Sequence, residues 1–269
     1  MNQEERLDFL IDYLLHEESY DHSLPHDAKT MDEKIVLFRG LCNIRKPEPV
    51  SERFINVQND FLTAWNNERK TVNINSTISF SSQLYLWQGD ITKLKVDAIV
   101  NAANSKLLGC TQANHHCIDN IIHTRAGVEL RLACHDLMEA QGRKEPVGKA
   151  KITRAYNLPA SYVIHTVGPY IDARGVSAFK EKLLADSYQA SLTLADEYEL
   201  ESIAFCCIST GEFNFPNEQA AQIAIKTVQD YIQNNDSNLK VIFNVFKDED
   251  YHIYHHLLSE IYMMRNDTY

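Results

Sequence analysis

Apolar residues recur with helical spacing at the start of the chain. Leu7, Leu10, Ile11, Leu14 and Leu15 fall at i, i+3, i+4, i+7 and i+8, which gathers them into one stripe of an α-helix. Ile35, Val36, Phe38 and Leu41 predict a second helix, ended near Pro47 and Pro49, because proline lacks an N–H and fixes φ. Phe54, Val57, Phe61, Leu62 and Trp65 predict a third. A turn-like stretch, Ser19 to Asp27 with Pro25, lies between the first two. These stripes need burial, so residues 1–72 are expected to form a helical N-terminal extension docked on the rest of the chain. The alternative is a free helical module.

From Ile74 onward short β-branched and aromatic runs alternate with helical patterns. Leu84–Gln88, Ala98–Asn101, Ala150–Tyr156, Tyr162–Thr166, Ile203–Ile208 and Val241–Phe246 predict strands. Ile118–Ala140, Ala178–Tyr198, Glu218–Gln233 and Glu249–Met263 predict helices. This alternation predicts an α/β layered domain over 73–269 with a mostly parallel or mixed sheet. Ligands of such sheets sit at the carboxyl ends of the strands.

Charge and composition narrow the function. Lys plus Arg number 26 and Asp plus Glu 37, a net charge of −11, which repels phosphate backbones and disfavours a nucleic-acid partner. A single phosphate site remains open to such a chain, because backbone N–H groups can hold an anion. No apolar run approaches the roughly 20 residues of a membrane span, and the acidic start lacks the basic stretch of a secretory signal. The expectation is a soluble, cytoplasmic protein without a membrane partner. In that reducing compartment the 6 cysteines serve metal binding, catalysis or packing rather than disulfides.

Three loops fall at strand ends. Gly89-Asp90-Ile91-Thr92 reads alone as a turn. Asn101-Ala102-Ala103-Asn104-Ser105 sets small residues between two amides, either as a capped turn or as a close approach to a ligand. Ser209-Thr210-Gly211-Glu212-Phe213-Asn214-Phe215 joins a strand to a helix, where free N–H groups and the helix dipole favour an anion, and its phenylalanines could stack on a sugar or base. A fourth stretch carries the most specific pattern. Cys110, His115 and Cys117 are three ligands of the kind zinc takes, and three protein ligands suit an open catalytic site; His116 competes with His115. Asp119 either caps a helix or acts as a general base. Cys42, Cys134, Cys206 and Cys207 read as core residues, His165 as a hydrogen-bonded core histidine, and His255 and His256 as helix-surface residues.

Together these stretches, with Ile118-Asp119 running into Ile122-His123 and Val163 to Pro169, resemble the macrodomain family over roughly residues 74–265. The resemblance implies a three-layer α/β/α fold with a mixed central sheet, and ADP-ribose as ligand. Where ordinary hydrolases of that family have a run of glycines, this chain has Gly109 to Cys117. That departure resembles the zinc-dependent macrodomain subgroup, whose members also carry a helical N-terminal extension. It implies one Zn2+ per chain on Cys110, His115 and Cys117. It also implies that Asp90 accepts from the adenine amino group beside Ile91, and that Asn104 orients the distal ribose. The loop Ser209 to Phe215 would wrap the diphosphate, with Phe215 near the distal ribose, and Ile118, Asp119 and Asn120 would line the cleft.

The implied activity is hydrolysis of mono-ADP-ribose from proteins, most plausibly from an ester to Asp or Glu, with Asn104 and Asp119 as catalytic residues. The implied partners are a lipoylated carrier protein and a sirtuin-type ADP-ribosyltransferase. The rivals are a non-catalytic ADP-ribose reader with a structural zinc, and a phosphatase acting on a phosphate ester of ADP-ribose.

Overall fold

A computed structural model of the chain describes residues 1–18, 20, 22–24 and 27–266, and the side chains as far as residue 261. The expected turn from Ser19 to Asp27 falls partly outside the described residues. Three helices come first: α1 (Gln3–Leu15), α2 (Met31–Ile44) and α3 (Glu52–Asn67). Each begins on a side-chain cap. The Asn2, Thr30 and Ser51 side chains accept from the N–H groups of Glu5, Glu33 and Phe54, which satisfies donors that a helix start leaves orphaned. The apolar stripes are buried, with Leu7, Leu10, Phe38, Phe54, Phe61 and Leu62 almost fully covered.

The extension does not lend its stripes to the main core. It builds a hydrophobic cluster of its own, to which the domain contributes Val128. What ties it to the domain is polar. The Arg131 guanidinium donates to the Cys42, Asn43 and Arg45 carbonyls at the end of α2. Asn66 donates to the Arg125 and Asn157 carbonyls, and Gln58 accepts from Val128 N–H. Buried polar groups of this kind are costly to leave unpaired, so they fix the docking in one arrangement.

The domain is a mixed sheet flanked by helices. Its strands are β1 (Val72–Asn73), β2 (Ile78–Ser79), β3 (Leu84–Gln88), β4 (Leu94–Lys95), β5 (Ala98–Ala102), β6 (Ala150–Arg154), β7 (Tyr162–Thr166), β8 (Ser202–Phe205) and β9 (Lys240–Val245). The helices are α4 (Ile118–Ala126), α5 (Val128–Gln141), α6 (Ala178–Glu197), α7 (Asn217–Asn235) and α8 (Asp248–Asn266). Among the described residues the main sheet has the order β2-β3-β9-β8-β5-β7-β6, and β1 pairs separately with β4. Strands β3, β9, β8, β5 and β7 run parallel, whereas β2 and β6 are antiparallel at the edges. The parallel strands therefore end together, and the loops after β3, β5, β8 and β9 open on one side. Among the described residues no helix is long and apolar enough to cross a membrane.

Two expectations need correction, and three short strands are new. The helix expected over Ile118–Ala140 is two helices, broken at Gly127, whose φ of +101° and ψ of 173° L-residues avoid. Cys206 and Cys207 lie just beyond β8 rather than in it, although Cys206 is buried. The short strands β1, β2 and β4 carry no legible pattern in two residues each.

The break at Gly127 is testable. A Cβ there would stand 2.7 Å from Gln58 Nε2, and the backbone would be strained besides. Gly127→Ala is expected to lower stability by about 1–3 kcal/mol; an unchanged urea midpoint would contradict this.

Candidate active site

Asp119 lies at the start of α4, against the carboxyl end of β5. Helix α4 starts at Cys117, whose Sγ accepts from Asn120 N–H at 3.4 Å, so the cap is Cys117 and not Asp119. This leaves the Asp119 carboxylate free to turn toward β5. There Asn101 Nδ2 donates to Oδ1 at 2.8 Å, and Asn104 Nδ2 lies 3.4 Å from Oδ2. Asn104 also donates to the Gly109 carbonyl at 3.0 Å, which joins the two loops. Burial pushes the Asp119 carboxyl up to about 6, against the hydrogen bonds of Asn101 and Asn104 and the Arg131 charge that hold it down.

Behind Asp119 lies a buried relay. Asn101 Nδ2 is 3.2 Å from His165 Nδ1, and His165 Nε2 is 3.0 Å from Thr153 Oγ1. His165 is thus a hydrogen-bonded core histidine, as its strand position suggested. His123, Cys134 and His165 also converge to within 4.8 Å, but His165 is already satisfied on both nitrogens. Burial lowers the His165 pKa to about 3 and that of His123 well below its usual value, so both are neutral.

The metal-type residues converge as well. The ligand atoms of Cys110, His115 and Cys117 lie within 4.8 Å of one another, and His115 Nδ1 is 3.5 Å from Cys110 Sγ. His116 is exposed and outside this group. Burial pushes the Cys117 thiol up to about 12, so a thiolate here needs a cation beside it. Two thiols and an imidazole are a donor set that zinc favours, and the residues present fit that ion. His115 Nε2 faces Glu212 Oε1 at 3.7 Å, the arrangement in which a carboxylate orients a metal-binding histidine.

The loop from Ser209 to Phe215 lies alongside. Its Gly211, Glu212 and Phe213 N–H groups take no acceptor among the described residues, whereas Asn214 and Phe215 N–H close the loop on Gly211 and Ser209 carbonyls. Ser209 Oγ is buried without a partner there. Helix α7 follows from Pro216 with no side-chain cap, so its dipole also faces the loop. The Phe215 ring, expected beside a ribose, is 1% exposed and sits in the core, where it anchors the loop from below. Phe213 packs edge-on against Tyr170.

At the other end Asp90 accepts from Thr92 N–H and Oγ1 and pairs with Arg69 at 2.7 Å. Ile91 opens the short turn after it and is buried. Beside this loop, just past β9, Phe246 is 74% exposed. The sequence reading missed it, although an apolar aromatic at a strand's carboxyl end was the available signal. It also missed Asn101 as the partner of Asp119, and the arginines Arg39, Arg69 and Arg131, which come from distant elements.

Comparison with known proteins agrees with this geometry. Residues 100–224 match the family model described as Macro domain. The chain is 50% identical over 249 residues to a Protein-ADP-ribose hydrolase of Staphylococcus aureus (strain MSSA476), covering 93% of each. It is 47% identical over 265 residues to one of Treponema medium, covering 96% of this chain and 100% of that one. A mutant of the Oceanobacillus iheyensis macrodomain solved with ADPR superposes with a TM-score of 0.62 at 37% identity, over 69% of this chain and 97% of that one. The chain belongs to the macro domain family. Its near-full-length relatives place it among the protein-ADP-ribose hydrolases of that family.

The neutral core histidine has a consequence for acid stability. An unfolded His165 takes a proton below about pH 6.5, while the folded one resists down to about 3. The unfolded state therefore binds more protons in that window. This contribution is complete above pH 6.5 and is lost as pH falls toward 3, by at most about 1.4 kcal/mol per unit. Urea titrations should give His165→Gln a shallower loss of stability between pH 6.5 and 4 than wild type. Parallel slopes would contradict it.

Proposed function

We propose that the protein is a zinc-dependent hydrolase that removes single ADP-ribose groups from proteins, acting on an ester to Asp or Glu. The observation that carries this reading is the convergence of Cys110, His115 and Cys117 beside the Asn104–Asp119 pair. An adenine end at Asp90, Ile91 and Phe246, and a diphosphate loop from Ser209 to Phe215, set the distal ribose toward that pair. Phe246 offers an exposed face on which a base can stack. The free N–H groups after β8 hold the diphosphate, which lets an acidic chain bind an anion. Ile118 and Asn120 supply wall and support at the start of α4. The resemblance supports a lipoylated carrier protein, modified by a sirtuin-type ADP-ribosyltransferase, as the bearer of the ester.

Cleavage falls at the anomeric carbon of the distal ribose. Water supplies the new oxygen there, and the protein carboxylate leaves. Asn104 orients the ribose, since its amide already bridges the Asp119 carboxylate and the Gly109 carbonyl. Asp119 accepts and returns the proton, held in place by Asn101. Zinc on Cys110, His115 and Cys117 would supply Lewis-acid stabilisation of developing negative charge.

Cys117→Ala is expected to lose bound zinc and release of ADP-ribose while keeping most of its affinity for free ADP-ribose, because an interaction made mainly in the transition state affects turnover first. Asn104→Ala should lower kcat by roughly 100-fold through misplacement of the ribose. The test uses metal-loaded chain with acidic-residue-linked and serine-linked ADP-ribosyl proteins, and follows ADP-ribose release and metal content. Wild type that binds zinc and ADP-ribose yet releases none from the acidic-residue substrate would sink the hydrolase reading in favour of a reader.

A further inference from the structure

The loop that carries the metal-type residues is held from outside the domain. Three positions of α2, one turn of helix, lie against it. Arg39 donates from Nη2 to the His115 carbonyl at 2.8 Å, and from Nε and Nη2 to Asn120 Oδ1 at 3.0 and 2.8 Å. Asn43 Oδ1 accepts from Asn114 N–H at 2.9 Å, and its Nδ2 donates to Thr124 Oγ1 at 3.2 Å. Gly40 is buried between them, where a Cβ would stand 2.9 Å from Asn114 Nδ2. A glycine inside a helix costs about 0.5–1 kcal/mol relative to alanine. Here it lets the loop approach the helix backbone.

The point of contact matters. Asn114 has a positive φ of 55°, a left-handed conformation that asparagine takes more readily than most residues. It immediately precedes His115. The same guanidinium that grips His115 also grips Asn120, whose N–H reaches Cys117 Sγ and whose Nδ2 donates to the Gln112 carbonyl. Both halves of the loop are thereby pinned to one side chain of the extension. On the domain side, Arg131 holds the end of α2 and extends to within 3.5 Å of the Cys110 carbonyl.

We propose that the helical extension is a working part of the metal centre, with Arg39 and Asn43 as positioning residues that set its zinc affinity. The inference rests on the zinc reading above and names what makes those three ligands converge. The extension holds the loop at Asn114, His115 and Asn120, and a loop free to move must be ordered when the ion binds, which weakens binding. Holding the His115 backbone removes that cost. The forked guanidinium is what reaches two acceptors at once, so a lysine, with its single point charge, is not an equivalent.

The test uses the full chain. Zinc affinity is measured by competition with a chromophoric chelator for wild type, Arg39→Ala, Arg39→Lys and Asn43→Ala. Each is checked by circular dichroism and by the melting temperature of the metal-free form. Outer partners of metal ligands typically contribute 10–100-fold to affinity. Arg39→Ala and Asn43→Ala should weaken zinc binding by roughly that factor, and the rise in melting temperature on adding zinc should shrink in proportion. The metal-free melting temperatures of the alanine variants should fall somewhat, because buried partners lose their hydrogen bonds, so the zinc-induced rise is read from each variant's own metal-free value. Arg39→Lys, which keeps charge and stem, should fold in any case and still bind zinc more weakly. Cobalt-loaded variants should show altered thiolate-to-metal absorption. Equal zinc affinity and equal cobalt spectra in all four proteins would overturn the inference while leaving the zinc reading intact. Absence of zinc from wild type would overturn both.

Discussion

A buried amide, Asn120, is satisfied from four sides. Its oxygen accepts from Arg39 of the extension and lies 3.4 Å from Thr124 Oγ1, its nitrogen donates to the Gln112 carbonyl, and its backbone N–H reaches Cys117 Sγ. Asn120 is wholly buried, so none of these groups can exchange its partner for bulk water without cost. The consequence is geometric. The start of α4, the cysteine–histidine loop and α2 occupy one mutual arrangement. Asp119, next in sequence, takes its orientation from that arrangement. Sites with polar contacts this dense hold their functional groups with little freedom.

From there the chemistry follows the sheet. Parallel strands bring the loops after β3, β5, β8 and β9 to one side, the usual place for ligands in such folds. Each loop contributes a different property. The loop after β5 offers amides, the one after β8 offers backbone donors, and the ends of β3 and β9 offer a carboxylate and an exposed ring. Buried among them, Asp119 and the neutral pair His123 and His165 show the perturbed titration that often accompanies function. For His165 the perturbation also belongs to packing, since its two nitrogens are engaged in the core.

Much of this was legible in the sequence because it was local. Helices were marked by apolar stripes, and the strands Leu84–Gln88 and Tyr162–Thr166 came out with their predicted limits, since β-branched and aromatic residues bounded by turns leave few alternatives. The break at Gly127 was not legible, because one glycine inside an apolar pattern is tolerated in many helices, and only the approach of Gln58 shows why it is needed here. Cys110, His115 and Cys117 were readable as a group within eight positions. Arg39 was not, because its partner Asn120 is 81 residues away, and pairing at that distance is set by tertiary docking. The same holds for the extension, whose apolar stripes suggested burial against the domain but close on one another instead. Phe215, which the resemblance sets near the distal ribose, has its ring almost wholly buried, a depth that its loop position did not reveal.

The central claim is that one metal ion and the distal ribose meet beside Asn104 and Asp119. Anomalous diffraction at the zinc edge from crystals of the wild-type chain soaked with ADP-ribose tests it directly. The account predicts a single strong peak among Cys110 Sγ, His115 Nδ1 and Cys117 Sγ, with the distal ribose adjacent to it and to Asn104. A peak elsewhere, or a ribose bound away from an occupied cysteine–histidine loop, would contradict it.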